Sequence, residues 1–500
     1  MPVREVSLVA LMVLVPGLGR AAEVSVSTSA ELRAAASAAH PGDTLRLGAG
    51  EYRIDRKLSC NASGTAEAPI RVVGADGGAS RVVFHDASGI VEGFHVFGGH
   101  WSFENLTIEG DCSTDSRCEH AFHIAGDADG TRIVGNVVSG FNAHIKANGE
   151  GDPRLFPDDV LVEGNELFNP AARQTSNPVT PVDVVGGRRW VVRANYVHDF
   201  EKGQGNRISY GMFLKGNGVD GVFERNLVVC EQLHSGGIRL GLSFGGGGTG
   251  PDSICEDGTC NPEHRRGIMR NNIIAHCPSD VYVNECEECT IEHNTLYDCT
   301  GIDVRFSTSS ATVRRNVLSG RVRSRDSATV MDVDNLAVSV SELDALFTDP
   351  AGLDFSLAGA TASIVDPDVS DSVSEDFCAV ARDSQPDWGA LEYGGAICDT
   401  RRPVVVTTPV DGGTTDAGVD GGTEIDGGPA VDMGMTLDAG ADAGVSDVGG
   451  TVVDAGAQPE EPPAEDDGCR CAAFASTSGS WSVLLGLAGL LGLGRARTRR

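Results

Sequence analysis

The stretch RIVGNVVSG (132–140) returns in altered form as VLVEGNELF (160–168), WVVRANYVH (190–198) and VFERNLVVC (222–230). An asparagine in the same context recurs in FENLTI, MRNNIIA, IEHNTLY and VRRNVLS. The series is Asn105, Asn136, Asn165, Asn195, Asn226, Asn272, Asn294 and Asn316, at intervals of 31, 29, 30, 31, 46, 22 and 22 residues. A repeat of that length means stacked units. Each unit is short, β-branched and turn-rich, with no helical period between repeats. That selects a parallel β-helix over a helical solenoid, and over a propeller with four strands per blade. Asparagine tolerates the left-handed backbone of a tight bend, so each Asn is expected to turn the chain between two strands. Crossover chirality makes the coil right-handed. The expected fold class is all-β, a right-handed parallel β-helix.

The ends of the chain differ from this body. Arg4 and the apolar run VSLVALMVLVPGLG, followed by Ala21-Ala22, read as a secretory signal over 1–22. The β-helix is assigned to 23–400. Residues 401–467 hold fifteen acidic side chains against two arginines and read as a disordered, self-repelling spacer. In 468–500, GCRC precedes about 20 apolar or small residues and then RARTRR, a short membrane span with an arginine cluster. This tail resembles the myxobacterial C-terminal sorting signal. The resemblance implies processing at Cys469 by a membrane sorting protease, with display at the cell surface or outer membrane, or release. A net charge of −32 makes nucleic acid an unsuitable partner, and a monomer is expected.

Residues 28–39 are expected to form a short helix. Thr28 and Glu31 fit a capping box, and Leu32, Ala35, Ala36 and Ala39 share a face. The opening SAELRAAASAAHPGDTLRLGAGEY with SGTAEAPIRVVG, and the closing DFSLAGATASIVDP with DWGALEY, resemble secreted β-helix proteins of the pectate-lyase-like class. The resemblance spans roughly 24–395 and implies that the helix caps one end of the cylinder, covering strand edges.

Twelve cysteines precede Cys469, an even number that argues for disulfides in an exported chain. Cys112/Cys118 and Cys255/Cys260 read as loop staples. Cys277 and Cys299 each lie five residues after a repeat Asn. Stacking would place them ~4.8 Å apart, so they are expected to bridge. CEEC (286–289) could be a redox pair or half a zinc site, but no second CxxC stands at zinc-ribbon spacing, and no metal is expected there.

Strand alternation then assigns faces. Counting back from each Asn puts Ile124, Ile145, Val184, Leu214, Ile238, Val283 and Val304 inward. On the outward face this leaves His123, His144, Lys146, Asp183, Lys215, Arg239, Tyr282, Asn284, Asp303 and Arg305. Lys215 is one of only four lysines in the chain, and Arg239 is expected beside it, one coil on. Such a basic stripe suits an extended acidic polysaccharide. The insertion FGGGGTGPDSICEDGTCNPEH (244–264) is placed to wall a cleft beside it. FLKGNG followed 24 residues later by GGIRLG resembles the Lys…Arg pair of chondroitinase-B and alginate-lyase-like β-helix enzymes. The resemblance implies Lys215 as the base of a β-elimination and Arg239 as charge stabiliser or acid, with calcium as the family's cofactor. NRISYGMF, just upstream of Lys215, carries no carboxylate, so calcium ligands are not identified. Two further readings are a hydrolase and a non-catalytic adhesion or matrix-binding protein. Asp183 and Asp303 are the only outward acids, four coils or ~19 Å apart, too far for a glycosidase pair.

Overall fold

The computed structural model describes residues 21–246, 249, 254–279, 281–361, 364–365, 373–395 and 398–403. The signal run, the spacer beyond 403 and the tail with Cys469 lie outside the described residues. Among the described residues, three parallel sheets carry the chain: sheet A with twelve strands, sheet B with eleven and sheet C with ten. Arg132–Val134, Val137–Ser139 and Ala143–Asn148 are one coil's strands in A, B and C. Each pairs in parallel with its counterpart one coil away. This is the right-handed parallel β-helix expected from the repeat.

Parallel register stacks like on like. In sheet A, Ile133, Val162, Val192, Phe223, Met269, Ile291 and Val313 form one inward column. In sheet B, Val138, Leu167, Val197, Val228, Ile274, Leu296 and Leu318 form another. All are buried. Burial of each such side chain contributes about 1.5–3 kcal/mol.

The repeat asparagines form a hydrogen-bonded ladder at the bend from A to B. Asn195 shows the pattern. Its Oδ1 accepts from the backbone N–H and Nδ2 of Asn165 at 3.0 and 2.9 Å. Its Nδ2 donates to Asn226 Oδ1 and to the carbonyls of Val162 and Arg193. The ladder runs Asn136, Asn165, Asn195, Asn226, Asn272, Asn294, Asn316 and Asn335. Asn105 is not a rung, which corrects the sequence series. Glu104 pairs with Val134, so Leu106 occupies the rung position, and its N–H donates to Asn136 Oδ1. The left-handed residue is also not the ladder Asn but the one before it: Ala194, Arg225, Asn271, His293, Arg315 and Asp334 all have φ between 51° and 55°. Asn105 belongs to that second set, with φ 55°.

One end of the core is capped and one face is covered. Helix α1 (Ser29–Ala38) has the expected Thr28–Glu31 capping box and buries Leu32 and Ala36 against the first coils. Helix α2 (Val340–Leu346) and the segment after it fold onto the outer face of sheet B. There Leu343, Phe347, Phe355, Phe377 and Leu391 cover Val229, Ile273, Tyr297 and Val317.

Cys112–Cys118 and Cys255–Cys260 are bonded, as are Cys286–Cys289 and Cys378–Cys398. The expected Cys277–Cys299 bridge is corrected: Cys277 bonds Cys230, with Cα atoms 4.9 Å apart. The register places Cys277 between Cys230 in the preceding coil and Cys299 in the next. One sulfur makes one such bond, and Cys299 remains a buried thiol donating to the carbonyls of Ile274 and Tyr297.

Three outcomes follow from this architecture. Asn195→Ala strands the N–H of Asn165 and two carbonyls, and should cost about 2–4 kcal/mol in urea unfolding. Asn105→Gly, at an exposed left-handed position outside the ladder, should stay within about 0.5 kcal/mol. Burial pushes the Cys299 thiol up to about 12. Peptide mapping should therefore find Cys230–Cys277 joined, with Cys299 alkylated at pH 8 only after denaturation.

Candidate functional site

The three outer faces are not equivalent. Sheet B lies under the C-terminal segment. Sheet A carries cross-strand ion pairs, Arg71–Glu104, Arg193–Glu163, Arg270–Glu224 and Arg314–Glu292, that neutralise one another. Sheet C is bordered by long loops among the described residues, 149–160 and 254–263 on one side and 169–181, 199–207 and 230–237 on the other. Functional side chains gather readily where loops flank a rigid sheet.

Two outward columns run along sheet C. The first is Ser59, His95, His123, Lys146, Asp183, Phe213, Ser243, Tyr282, Asp303 and Arg323. Most of it is buried by its neighbours and the bordering loops, not solvated. Lys146 and Asp183 form an ion pair at 2.7 Å with side chains only 7% and 5% exposed. Asp303 is gripped by Arg323 and Arg325. Asp183 and Asp303 stand four strands apart, as counted from the sequence. His144 also points outward but is buried. Its Nε2 lies 2.9 Å from the Phe168 carbonyl, and burial pushes its pKa down to about 3.

The second column holds Val185, Lys215, Gly245, Asn284, Arg305 and Arg325. From Lys215 to Arg325 is four strand spacings, ~19 Å. The Lys215 ammonium lies 4.4 Å over the Phe213 ring, and no carboxylate of the described residues is within ion-pair distance of it. The chain passes close beside it at Gly246, where a Cβ would stand 3.0 Å from the Lys215 side chain. Glu263, at the end of the insertion, accepts the Gly216 N–H at 2.8 Å. Burial raises the Glu263 carboxyl, against the pull of Lys215. Arg305 pairs with Asp326, and the Asn284 amide donates to the Gly246 carbonyl. The sequence reading missed Arg321, Arg323 and Arg325 of the edge strand Arg321–Arg325. Their alternation in RVRSR was the available signal.

The expected Lys215–Arg239 pair does not exist. Strand Ile208–Lys215 pairs with Ile238–Phe244 through Ser209↔Arg239, so Arg239 lies six residues, ~20 Å, from the level of Lys215. The insertion spoiled counting back from Asn272 by adding its residues after the strand. The same slip put Ile238 inward; it is 37% exposed, and Leu240, Leu242 and Phe244 fill the core instead. Arg239 is itself fully buried. It pairs with Glu231, lies 4.0 Å from Glu201 and donates to the His234 carbonyl. Asp199 beside it accepts the N–H groups of Gln232, Leu233 and His234. This network ties loops 199–207 and 230–237 together and offers Arg239 to no ligand.

His123 falls in a cluster that sequence reasoning did not assemble. His95 and His123 are register partners with ring centroids 4.7 Å apart, and Glu92 faces both. Burial and the neighbouring His123 hold His95 down at about 4, so its imidazole is neutral near pH 7. The signal was a repeat, FHV at 94–96 and FHI at 122–124. Glu92, His95 and His123 are the described residues able to converge on a metal ion.

The Lys146–Asp183 pair has a structural signature that can be tested. Asp183→Asn removes the carboxylate 2.7 Å from a buried ammonium and should cost about 3 kcal/mol of unfolding free energy. The double variant Lys146→Met/Asp183→Leu should recover most of that loss in the same urea titration.

No family model matches the chain, and no curated protein matches it. Solved structures do. Pectate lyase Pel9A superimposes with a TM-score of 0.52 at 16% identity, over 75% of this chain and 97% of that one. The alginate lyase AlyGC of the PL6 family gives 0.31 at 14%, over 63% and 51%. The PL6 polysaccharide lyase Pedsa3628 from Pseudopedobacter saltans gives 0.35 at 11%, over 68% and 96%. At these identities the likeness is one of fold, and the chain is a right-handed parallel β-helix of pectate-lyase-like architecture.

Proposed function

We propose that the outer face of sheet C binds an acidic, uronate-bearing polysaccharide. The observation that carries this reading is the second column. Lys215, Arg305 and Arg325 lie in register in one column along ~19 Å of a rigid sheet, on a chain whose net charge is −32. A straight column that carries these cations suits an extended anionic polymer, which would compete with Asp326 and Asp303 for the two arginines, and charge complementarity favours its capture. The fold shared with a pectate lyase, an enzyme named for an acidic polysaccharide, supports the same substrate class. Export and surface display complete the proposal and rest on the sequence of the two chain ends.

Lys215 favours a second reading, β-elimination. As a neutral amine it would take the proton from C5 of a uronate. The C4–C5 double bond would form, the C4–O bond would break, and the leaving oxygen would take up a proton. That step needs a cation on the uronate carboxylate. Arg305 stands three strands from Lys215, ~14 Å, and Lys146 is held by Asp183. Binding is therefore the primary reading.

The test uses the full chain in affinity gels containing polygalacturonate or alginate, at low and high salt, with ultraviolet detection of unsaturated uronate. Retention should weaken with salt. Lys215→Met and Arg305→Gln should each weaken it about fivefold. Retention untouched by both substitutions would move the site off sheet C. An absorbance rise abolished by Lys215→Met would establish cleavage with Lys215 as its base.

A further inference from the structure

We propose that Glu92, His95 and His123 bind a divalent first-row transition ion, with Zn²⁺ the natural probe. The ligand atoms of the three side chains lie within 4.8 Å of one another. His123 Nδ1 and Glu92 Oε1 are already 3.7 Å apart. Two ligands on a tetrahedral zinc stand ~3.4 Å apart at Zn–N of about 2.1 Å, so small side-chain rotations complete the site.

The hydrogen bonding around His123 leaves one ring nitrogen for a cation. His123 Nε2 lies 2.8 Å from Asn148 Oδ1. The Asn148 amide is oriented by its own Nδ2, which donates to the Gly149 carbonyl at 3.2 Å. Asn148 therefore presents an acceptor to His123, and Nε2 donates to it, which leaves Nδ1 as the ring atom open to a metal ion. This atom is buried in a residue only 9% exposed and has no hydrogen-bond partner. It faces the Glu92 carboxylate at 3.7 Å, and a metal ion between them would bridge the two groups with His95 as the third ligand.

The amide behind His123 serves as the outer partner that metal-bound imidazoles characteristically have, setting tautomer and ring plane. Imidazole and carboxylate donors suit zinc and its neighbours in the first transition row more than calcium, which takes six to eight oxygens. Glu92 opens a path from solvent, with its side chain 33% exposed. Its other oxygen lies 3.5 Å from the Lys57 ammonium, which anchors the carboxylate. Three protein ligands leave a tetrahedral ion one position for water or an anionic oxygen. The site depends on no assumption about polysaccharide.

The experiment is calorimetric titration of the untagged full chain with Zn²⁺, alongside metal content after dialysis. The expected result is one retained ion per chain. It should be lost in His123→Ala and weakened at least about tenfold in Glu92→Gln, with far-ultraviolet circular dichroism unchanged. Asn148→Ala, which keeps all three ligands, should weaken binding about tenfold through the freed imidazole. Should His123→Ala fail to fold, the near-isosteric Glu92→Gln carries the test. Absence of one-to-one binding, or binding untouched by Glu92→Gln and Asn148→Ala, overturns the proposal.

Discussion

The stack of buried asparagine side chains is the constraint on which the rest of the structure depends. A short strand in A and a short strand in B meet at a sharp bend, and the bend leaves backbone groups inside the cylinder. Water cannot reach them, and an unpaired buried amide costs more than a made bond returns. Each ladder Asn answers with both ends of its amide. It accepts from the coil before it and donates to the coil after it, as Asn195 does between Asn165 and Asn226. Because the bonds run in one direction along the axis, they polarise one another. They also lock register: a slip of one residue would break every rung and turn the aliphatic columns outward.

A locked register makes sheet C a ruler. Side chains two residues apart form separate columns, and each column repeats at the strand spacing. What the columns do is then decided by pairing. Lys146 and Asp183 are consumed by each other, Asp303 by two arginines, and Arg239 by Glu231 and the loop carbonyls. Among the described residues Lys215 has no carboxylate within ion-pair distance and is held over Phe213 instead. At the other end of the sheet, His95 and His123 lie side by side because FHV and FHI occupy the same register position. The two candidate sites thus occupy different parts of one face, one cationic and one suited to holding a cation.

Much of this was readable before any coordinates. The Asn intervals implied stacked coils, the Thr28–Glu31 box placed α1, and six of seven inward positions were counted correctly. The failures have separate causes. Ile238 and Arg239 lie in the long connection between Cys230 and Asn272, where a fixed offset from the ladder no longer applies, whereas Cys277 does stack on Cys299 but spends its one bond on Cys230 on the other side. Asn105 failed for another reason: an asparagine at the left-handed position looks the same in sequence as one on the ladder a residue later.

The sequence by itself determined the fold, because a periodic demand for buried amide bonds and aliphatic columns can be met only by stacking like on like. It also named Lys215, His123 and Arg305 as outward residues, since strand alternation has a period of two whatever the loops do. The tertiary structure alone decided which of those residues are available. Whether a lysine is free or paired depends on the residue one coil away, 37 positions off for Lys146 and Asp183. It also depends on loops whose path no periodicity dictates. The Glu92–His95–His123 cluster arises in the same way, from residues 28 positions apart in the chain that parallel register brings to neighbouring strands.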